Sequence, residues 1–263
     1  MPDINDIMNQ IENEQSRPKY PNRINFLANE GMDTSIIEKG IGEAESIIQE
    51  GNDKSFVIYG EPQSGKTEVM IALTFKLVDM GFKTIFLVMN DITELEKQNY
   101  KRFLDTDLNP SPIQARDLVG LNTSELKEET VRIIFCRKNA QNLSALIQNC
   151  RYKKNRIIID DEADYASPNG MINVPETTRI NECLEQLGNF TNASEKYDGY
   201  YIGVTATPGR LDLNNTFRNN SKKWIYLDSH KKYKGQSFFF PLTLEDKKNS
   251  DYQLRLLSDR GDN

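Results

Sequence analysis

Eight residues, from Gly60 to Thr67, have the types and spacing needed to bind a chain of phosphates. They read GEPQSGKT, which fits GxxxxGK[ST], between a predicted strand and a predicted helix. Glycines let successive N–H groups face phosphate oxygens, and the helix start adds a positive dipole end. Lys66 would bind the β- and γ-phosphates, and the Thr67 hydroxyl would bind Mg²⁺. The predicted nucleotide-binding residues are Gly60, Glu61, Pro62, Gln63, Ser64, Gly65, Lys66 and Thr67.

Four carboxylates form a second candidate site, because they follow an apolar strand in the segment RIIIDDEAD. In an open α/β sheet, ligands bind at the carboxyl ends of the strands. We assign Asp161 to the metal ion and Glu162 to the attacking water. Taken alone, the segment is equally consistent with a solvated acidic turn that caps the next helix. Its occurrence together with the phosphate loop favours the catalytic interpretation.

Two threonines end a third apolar strand, in the segment VTATP. The hydroxyls of Thr205 and Thr207 lie on the same side of an extended chain. They could donate hydrogen bonds to acidic residues of a neighbouring strand, and so sense the state of the γ-phosphate. Without the other two segments, an ordinary β-branched strand end before Pro208 would be the preferred interpretation.

Alternation of short apolar runs with helical patterns predicts an α/β fold, with a parallel sheet and helices on both faces. The runs are rich in β-branched and aromatic residues, as expected for strands buried on both faces. A helix is predicted before the first strand, over Ser35–Gln49. The prolines at 18 and 21 predict an extended arm. The predicted units are an arm (1–33), an α/β domain that carries the three segments (34–228) and a C-terminal extension (229–263) that begins a further domain or is truncated.

Composition narrows the class of protein. The chain has 263 residues and a net charge of −6, which excludes a wholly basic nucleic-acid coat but allows the local basic stretch at 209–235. No apolar run approaches the roughly 18 residues of a membrane span. Three widely spaced cysteines indicate reduced thiols and a cytoplasmic protein, and a single histidine excludes mechanisms that need two.

The ordered set GEPQSGKT, DDEAD and VTATP resembles motifs I, II and III of superfamily 2 helicase-like ATPases, in their first RecA-like domain. The resemblance covers about residues 55–208. The phosphate loop and third motif differ from those usual in DEAD-box RNA helicases, and the combination is more similar to the Z-one domain of bacterial restriction and defence endonucleases. The segments that carry this likeness are Gln63–Thr67, Ile159–Pro168, Thr178–Asn181 and Gly199–Pro208, with a partial echo in Tyr233–Gly235 and Phe238–Pro241.

This resemblance implies ATP and Mg²⁺ as cofactors, with hydrolysis coupled to movement on nucleic acid, DNA rather than RNA. Asp164, Thr205 and Thr207 would couple the nucleotide to the nucleic-acid face. Asn90, Asp91 and Arg210 are candidate contacts to the nucleic-acid backbone. Lys138 and Asn139 are also candidate contacts to the nucleic-acid backbone. For Asp91, Lys138 and Asn139, capping of the next helix is the alternative interpretation.

One departure concerns the second RecA-like lobe, which closes over ATP in such motors and supplies an arginine finger. Only 55 residues follow Pro208, too few for that lobe. We expect the lobe to come from a longer chain or from a partner, and a nuclease domain or partner to accompany it. An arginine finger is worth about 10³–10⁵ in rate. The chain alone should therefore bind nucleotide and hydrolyse it slowly.

Two other functions are alternatives to such a motor. In the first, ATP binding regulates assembly with a nuclease or sensor, without translocation; a nucleic-acid response of the ATPase would argue against it. In the second, the chain is a metabolic P-loop kinase. That function is disfavoured because the TATP segment has no role in small-molecule phosphoryl transfer and no acceptor-binding signature is visible.

Overall fold

The computed structural model describes residues 18–61, 64–120, 131–150, 156–164, 179–188, 199–207 and 223–228. In chain order, the helices and strands are α1 (Lys19–Asn29), α2 (Ser35–Glu50), β1 (Ser55–Gly60), α3 (Lys66–Asp79), β2 (Thr84–Met89), α4 (Thr93–Leu104), β3 (Ile113–Gln114), β4 (Arg132–Arg137), α5 (Ala140–Cys150), β5 (Arg156–Asp161), α6 (Arg179–Gly188), β6 (Tyr200–Thr205) and β7 (Trp224–Leu227). A short 3-10 helix, Ala115–Gly120, follows β3.

All seven strands form one parallel sheet in the order β3-β4-β2-β5-β6-β1-β7. The strand order places β6 between β1 and β5, and β2 on the other side of β5. Four consecutive strands therefore carry the predicted site residues at their carboxyl ends. In the order β1, β6, β5 and β2, these are the phosphate loop, the two threonines, the acidic segment and Asn90. The predicted α/β fold with a parallel sheet is confirmed.

Helices cover both faces of the sheet, because the strands are apolar in successive residues. In β2, Ile85 and Leu87 face the larger core cluster, which also contains α2 and α3 residues. Phe86 and Val88 face the opposite cluster, which contains residues of α5 and α6. Burial on both faces explains the nearly continuous apolar strand sequences, and it anchors the strand ends that position the site.

Helix α1 replaces the extended chain that we expected around the two prolines. Pro18 is the N-cap residue and Pro21 lies in the first turn, where a helix does not need the missing N–H. The carboxylate of Asp79 accepts hydrogen bonds from the N–H groups of Lys19 (2.8 Å) and Tyr20 (2.7 Å). This cap from another helix fixes α1 on α3, and local sequence gives no signal of it.

A buried ion pair joins α1 to the helix that follows the phosphate loop. The guanidinium of Arg23 donates from Nε (3.0 Å) and Nη2 (2.8 Å) to the carboxylate of Glu68. Both side chains are only 11% exposed. Since Glu68 lies in the first turn of α3, the pair holds the start of this helix in place beside the site.

Candidate nucleotide site

The phosphate loop turns at two positions that require glycine for different reasons. Gly65 has φ +86°, in the left-handed region that side chains rarely adopt. A Cβ at Gly60 would lie 2.5 Å from Ser64 Oγ and 3.3 Å from Lys66 Cγ. The backbone therefore closes tightly between β1 and α3, and the free N–H groups at the start of α3 lie at the loop.

Lys66 lies across this loop. Its ammonium donates hydrogen bonds to the backbone carbonyls of Gly60 (2.9 Å) and Glu61 (2.9 Å). The ammonium is thus held beside the loop. The oxygens of a bound phosphate would replace the two neutral carbonyl oxygens as its hydrogen-bond acceptors. Such a replacement strengthens the hydrogen bonds, because charge-assisted bonds are roughly twice as strong as neutral ones.

Asp161 ends β5, and Glu162 follows it in an unusual backbone turn. Glu162 has φ 50°, a conformation that costs about 1–3 kcal/mol for a residue other than glycine. Its N–H donates to the Asp161 carboxylate at 3.1 Å, and the next N–H, of Ala163, donates to the carbonyl of Val204 at 3.0 Å. The turn is therefore tied to the end of β6, and it aims consecutive carboxylates at the edge of the sheet.

A buried lysine holds this turn from behind. The ammonium of Lys138 lies 2.7 Å from the carboxylate of Asp160, and both side chains are fully enclosed, at 1% and 0% exposed. The same ammonium donates to the carbonyls of Asp161 (2.6 Å) and Glu162 (2.8 Å). The Tyr201 hydroxyl donates to Asp160 at 2.6 Å. The first carboxylate of the acidic segment is therefore structural, which leaves the next two for chemistry.

Both predicted coupling threonines contact the last carboxylate of the segment. Thr205 Oγ1 donates to Asp164 at 2.5 Å, and the hydroxyl of Thr207 donates to its other carboxylate oxygen. The N–H of Thr207 in turn donates to Thr205 Oγ1 at 3.0 Å. The hydrogen bonds expected from the i, i+2 spacing are present, and they join the end of β6 to the acidic segment.

These groups line one cavity of about 530 Å³. Its wall brings together the lysine and the threonine that end the phosphate loop, three residues of the acidic segment, one of the coupling threonines and several side chains of α4. The residues that line the cavity include Lys66, Thr67, Asn90, Asp161, Glu162, Asp164 and Thr207. The convergence at one sheet edge that the three segments predict is therefore observed.

Charge interactions across the cavity agree with this geometry. Burial lowers the pKa of Lys66, whereas Asp161, Glu162 and Asp164 act in the opposite direction. Burial, and then the neighbouring charge of Glu162, raises the pKa of Asp161 to about 6. A cation that entered beside Asp161 would relieve the cost of this burial and this repulsion.

That raised pKa leads to a stability prediction for the protein without metal or nucleotide. The folded protein retains a proton on Asp161 between pH 3.8 and about 6, where the unfolded chain has lost it, so this group reduces stability as pH rises. We expect Asp161→Asn to raise the free energy of unfolding by roughly 1–2 kcal/mol at pH 7. Its side-chain oxygen can still accept the Glu162 N–H.

Urea unfolding of both proteins at pH 4 and pH 7 measures this effect. The advantage of asparagine should be complete above pH 6 and should shrink towards pH 4. An asparagine variant that is less stable than the parent at pH 7 would contradict the raised pKa.

The predicted nucleic-acid contacts lie in different environments. Asn90 is 8% exposed and donates to the carboxylate of Glu162 inside the cavity. Asp91 is exposed and accepts a hydrogen bond from Asn139 Nδ2 at 2.8 Å; it does not cap α4. Asn139 Oδ1 accepts from the N–H of Asn142, which is the capping role. Arg210 lies outside the described residues.

One interpretation changes with these observations. A nucleic-acid contact by Lys138 is wrong, because its ammonium is enclosed by the acidic turn. Pro62 and Gln63 of the phosphate loop lie outside the described residues. The roles of Lys138, Tyr201 and Asn90 around the turn leave one signal in the sequence, a polar side chain at or within an apolar strand segment.

Fold and site together define an α/β domain of the P-loop ATPase class. The profile of a family described as "Type III restriction enzyme, res subunit" matches residues 6–210. This match covers well over half of the chain, and the chain therefore belongs to that family. The chain is accordingly an ATP-binding, helicase-like domain.

Comparison with curated proteins finds no match to the chain. The genome packaging NTPase B204 from Sulfolobus turreted icosahedral virus 2 in complex with ATP-gammaS is 15% identical, with a TM-score of 0.34, over 58% of this chain and 64% of that chain. The same NTPase in complex with sulfate is 17% identical, with the same TM-score and coverage. The chain thus spans less than two thirds of either structure. No helix in the described segments is long and apolar enough to cross a membrane.

Proposed function

We propose that the chain is the first RecA-like lobe of a superfamily 2, Z-one-like ATPase that couples hydrolysis of Mg-ATP to movement on DNA or its remodelling, in restriction or defence. The observation that carries this proposal is the cavity in which the phosphate-loop lysine, the acidic turn and a threonine of the third motif converge. The proposed domain spans residues 34–228, with an N-terminal segment whose helix α1 packs on α3, and a C-terminal extension.

Each side chain has a defined task in this proposal. Lys66 and the N–H groups at the start of α3 bind the β- and γ-phosphates. Glu162 orients the attacking water and accepts its proton. Asp164 responds to the nucleotide through Thr205 and Thr207, because the three residues share hydrogen bonds at the wall of the cavity.

The residues at the site also fit magnesium. In the described segments, no group of three or more histidines, cysteines or acids could form an all-protein metal cage. Mg²⁺ normally binds to one or two protein oxygens together with substrate phosphates and water. Thr67 and Asp161 offer a hydroxyl and a carboxylate in the same cavity. The ion would neutralise charge that develops on the phosphate oxygens.

A nucleic-acid partner would bind at the same edge of the sheet, outside the nucleotide. The exposed Asp91–Asn139 pair joins the loops after β2 and β4 there, and Arg210 follows the third motif. The second RecA-like lobe, in cis or in trans, would cover the cavity and complete it. A nuclease domain or partner would perform any DNA cleavage, since the proposed roles of this site are all in phosphoryl transfer from ATP.

The ATPase rate with and without DNA or RNA tests this function. The assay should use the chain together with its C-terminal continuation or the partner that supplies the second lobe. We expect hydrolysis to rise at least tenfold with DNA and less with RNA. ATP-dependent association with a nuclease or sensor, without any response to either nucleic acid, would contradict the motor and support an interaction switch.

A further inference from the structure

We propose that Asn90 is a positioning residue that fixes the carboxylate of Glu162 for its reaction with water. This inference rests on the proposed function of Glu162. It concerns a side chain that we had expected to face nucleic acid, and that instead donates its amide N–H to Glu162 Oε2.

Sheet register brings the two side chains together. In the pairing of β2 with β5, Val88 lies opposite Asp160. Asn90 and Glu162 each come two residues later in the chain, just beyond the ends of these strands. The contact therefore follows from the parallel register of two buried strands, and does not depend on a long surface loop.

The backbone of Glu162 is already fixed from the other side. Lys138 donates to the carbonyls of Asp161 and Glu162, and the left-handed conformation at Glu162 sets the direction of its side chain. What remains free is rotation within the side chain itself. The amide of Asn90 restricts that rotation, so the carboxylate is held in place before water arrives.

A neutral donor suits a reactive carboxylate. Asp160 is paired with the ammonium of Lys138 and also accepts from Tyr201, which makes it a structural anion. Glu162 receives only an amide hydrogen bond on one oxygen. Its other carboxylate oxygen accepts no hydrogen bond from the residues that the structure describes, and Glu162 lines the cavity, so this oxygen can accept a proton there. The two neighbouring acids thus differ in the charge of their partners.

The test measures kcat, KM for ATP and the dissociation constant for ATP, in the complete protein with saturating DNA. Asn90→Ala removes the amide, and Asn90→Asp replaces it with a carboxylate of the same shape that cannot donate to Glu162. Both should lower kcat by about 10- to 100-fold. ATP affinity should change less than about twofold in Asn90→Ala, whereas the added negative charge of Asn90→Asp should weaken ATP binding as well. Asn90→Gln keeps an amide donor and should recover part of the rate. Asn52→Ala, an exposed amide before β1, is the control.

A double variant separates positioning from other roles. Asn90→Ala added to Glu162→Gln should lower the rate no further, because the group that Asn90 positions is already gone. An unchanged kcat in Asn90→Ala, or a full additional loss in the double variant, would overturn the inference. A changed dissociation constant for DNA with normal kcat would also overturn it, in favour of a nucleic-acid contact.

Thermal unfolding of each variant identifies loss of structure. If Asn90→Ala is less stable than the parent, the isosteric Asn90→Asp and the Gln variant decide the question. If the proposed function of Glu162 were wrong, the result would differ from those that overturn the role of Asn90. Glu162→Gln itself would then hydrolyse ATP at the parental rate, whatever residue occupies position 90.

Discussion

Replacing Glu162 with glutamine should suppress ATP hydrolysis by about 10²–10⁴-fold while ATP still binds, because a positioned general base contributes on this order. Glutamine preserves the size of the side chain and cannot accept the proton of the attacking water. In the proposed site, phosphate would bind to Lys66 and the start of α3, which follow β1, and β6 lies between β1 and β5. Single-turnover hydrolysis and equilibrium ATP binding, measured on the same sample, separate the two effects.

The matched control is Glu94→Gln, an exposed glutamate on α4 that does not line the cavity. It should leave both quantities unchanged. Hydrolysis by Glu162→Gln at close to the parental rate would show that a different residue activates the water, and it would remove the central role that we assign to the turn after β5.

Replacing Lys66 with alanine should weaken ATP binding by about 30-fold or more, which corresponds to about 2 kcal/mol. The ammonium already lies within hydrogen-bond distance of the loop carbonyls, so no rearrangement is needed to meet phosphate oxygens. Its removal also leaves three nearby carboxylates without their opposing charge. These carboxylates would then repel the triphosphate.

Titration with ATP in the presence of magnesium measures this loss. Lys83→Ala, which removes a lysine at the opposite end of β2, should bind ATP like the parent. If Lys66→Ala bound ATP with unchanged affinity, the phosphate loop would not be the nucleotide site, although the fold would remain the same.

The fold could be predicted in large part because strands buried on both faces leave a strong local signal. The runs that become β1, β2, β4, β5 and β6 are apolar in successive residues, and a short loop connects the first to α3. Helix α1 and strand β7 left weaker signals. The Asp79 cap on α1 comes from another helix, and β7 is a four-residue edge strand with alternating burial, preceded by two lysines.

The motif residues of the site could be predicted from the sequence, whereas the residues that support them could not. The difference is that the motifs are contiguous in sequence and the supporting residues are not. The phosphate loop and the acidic segment are contiguous in sequence, so their chemistry can be recognised locally. Lys138 and Asn90 act across strands. A lysine after a strand normally indicates a solvated surface, and only the strand order β4-β2-β5 shows that this one reaches the acidic turn.

The central claim is that the ends of β1, β6 and β5 form a single site for a triphosphate and its magnesium ion. A crystal structure with a non-hydrolysable ATP analogue and Mn²⁺ tests it most directly, because the anomalous signal of manganese locates the metal. We predict one manganese peak between the Thr67 hydroxyl and the Asp161 carboxylate, with Lys66 bound to the terminal phosphates. A nucleotide and metal bound elsewhere on the molecule would contradict the claim.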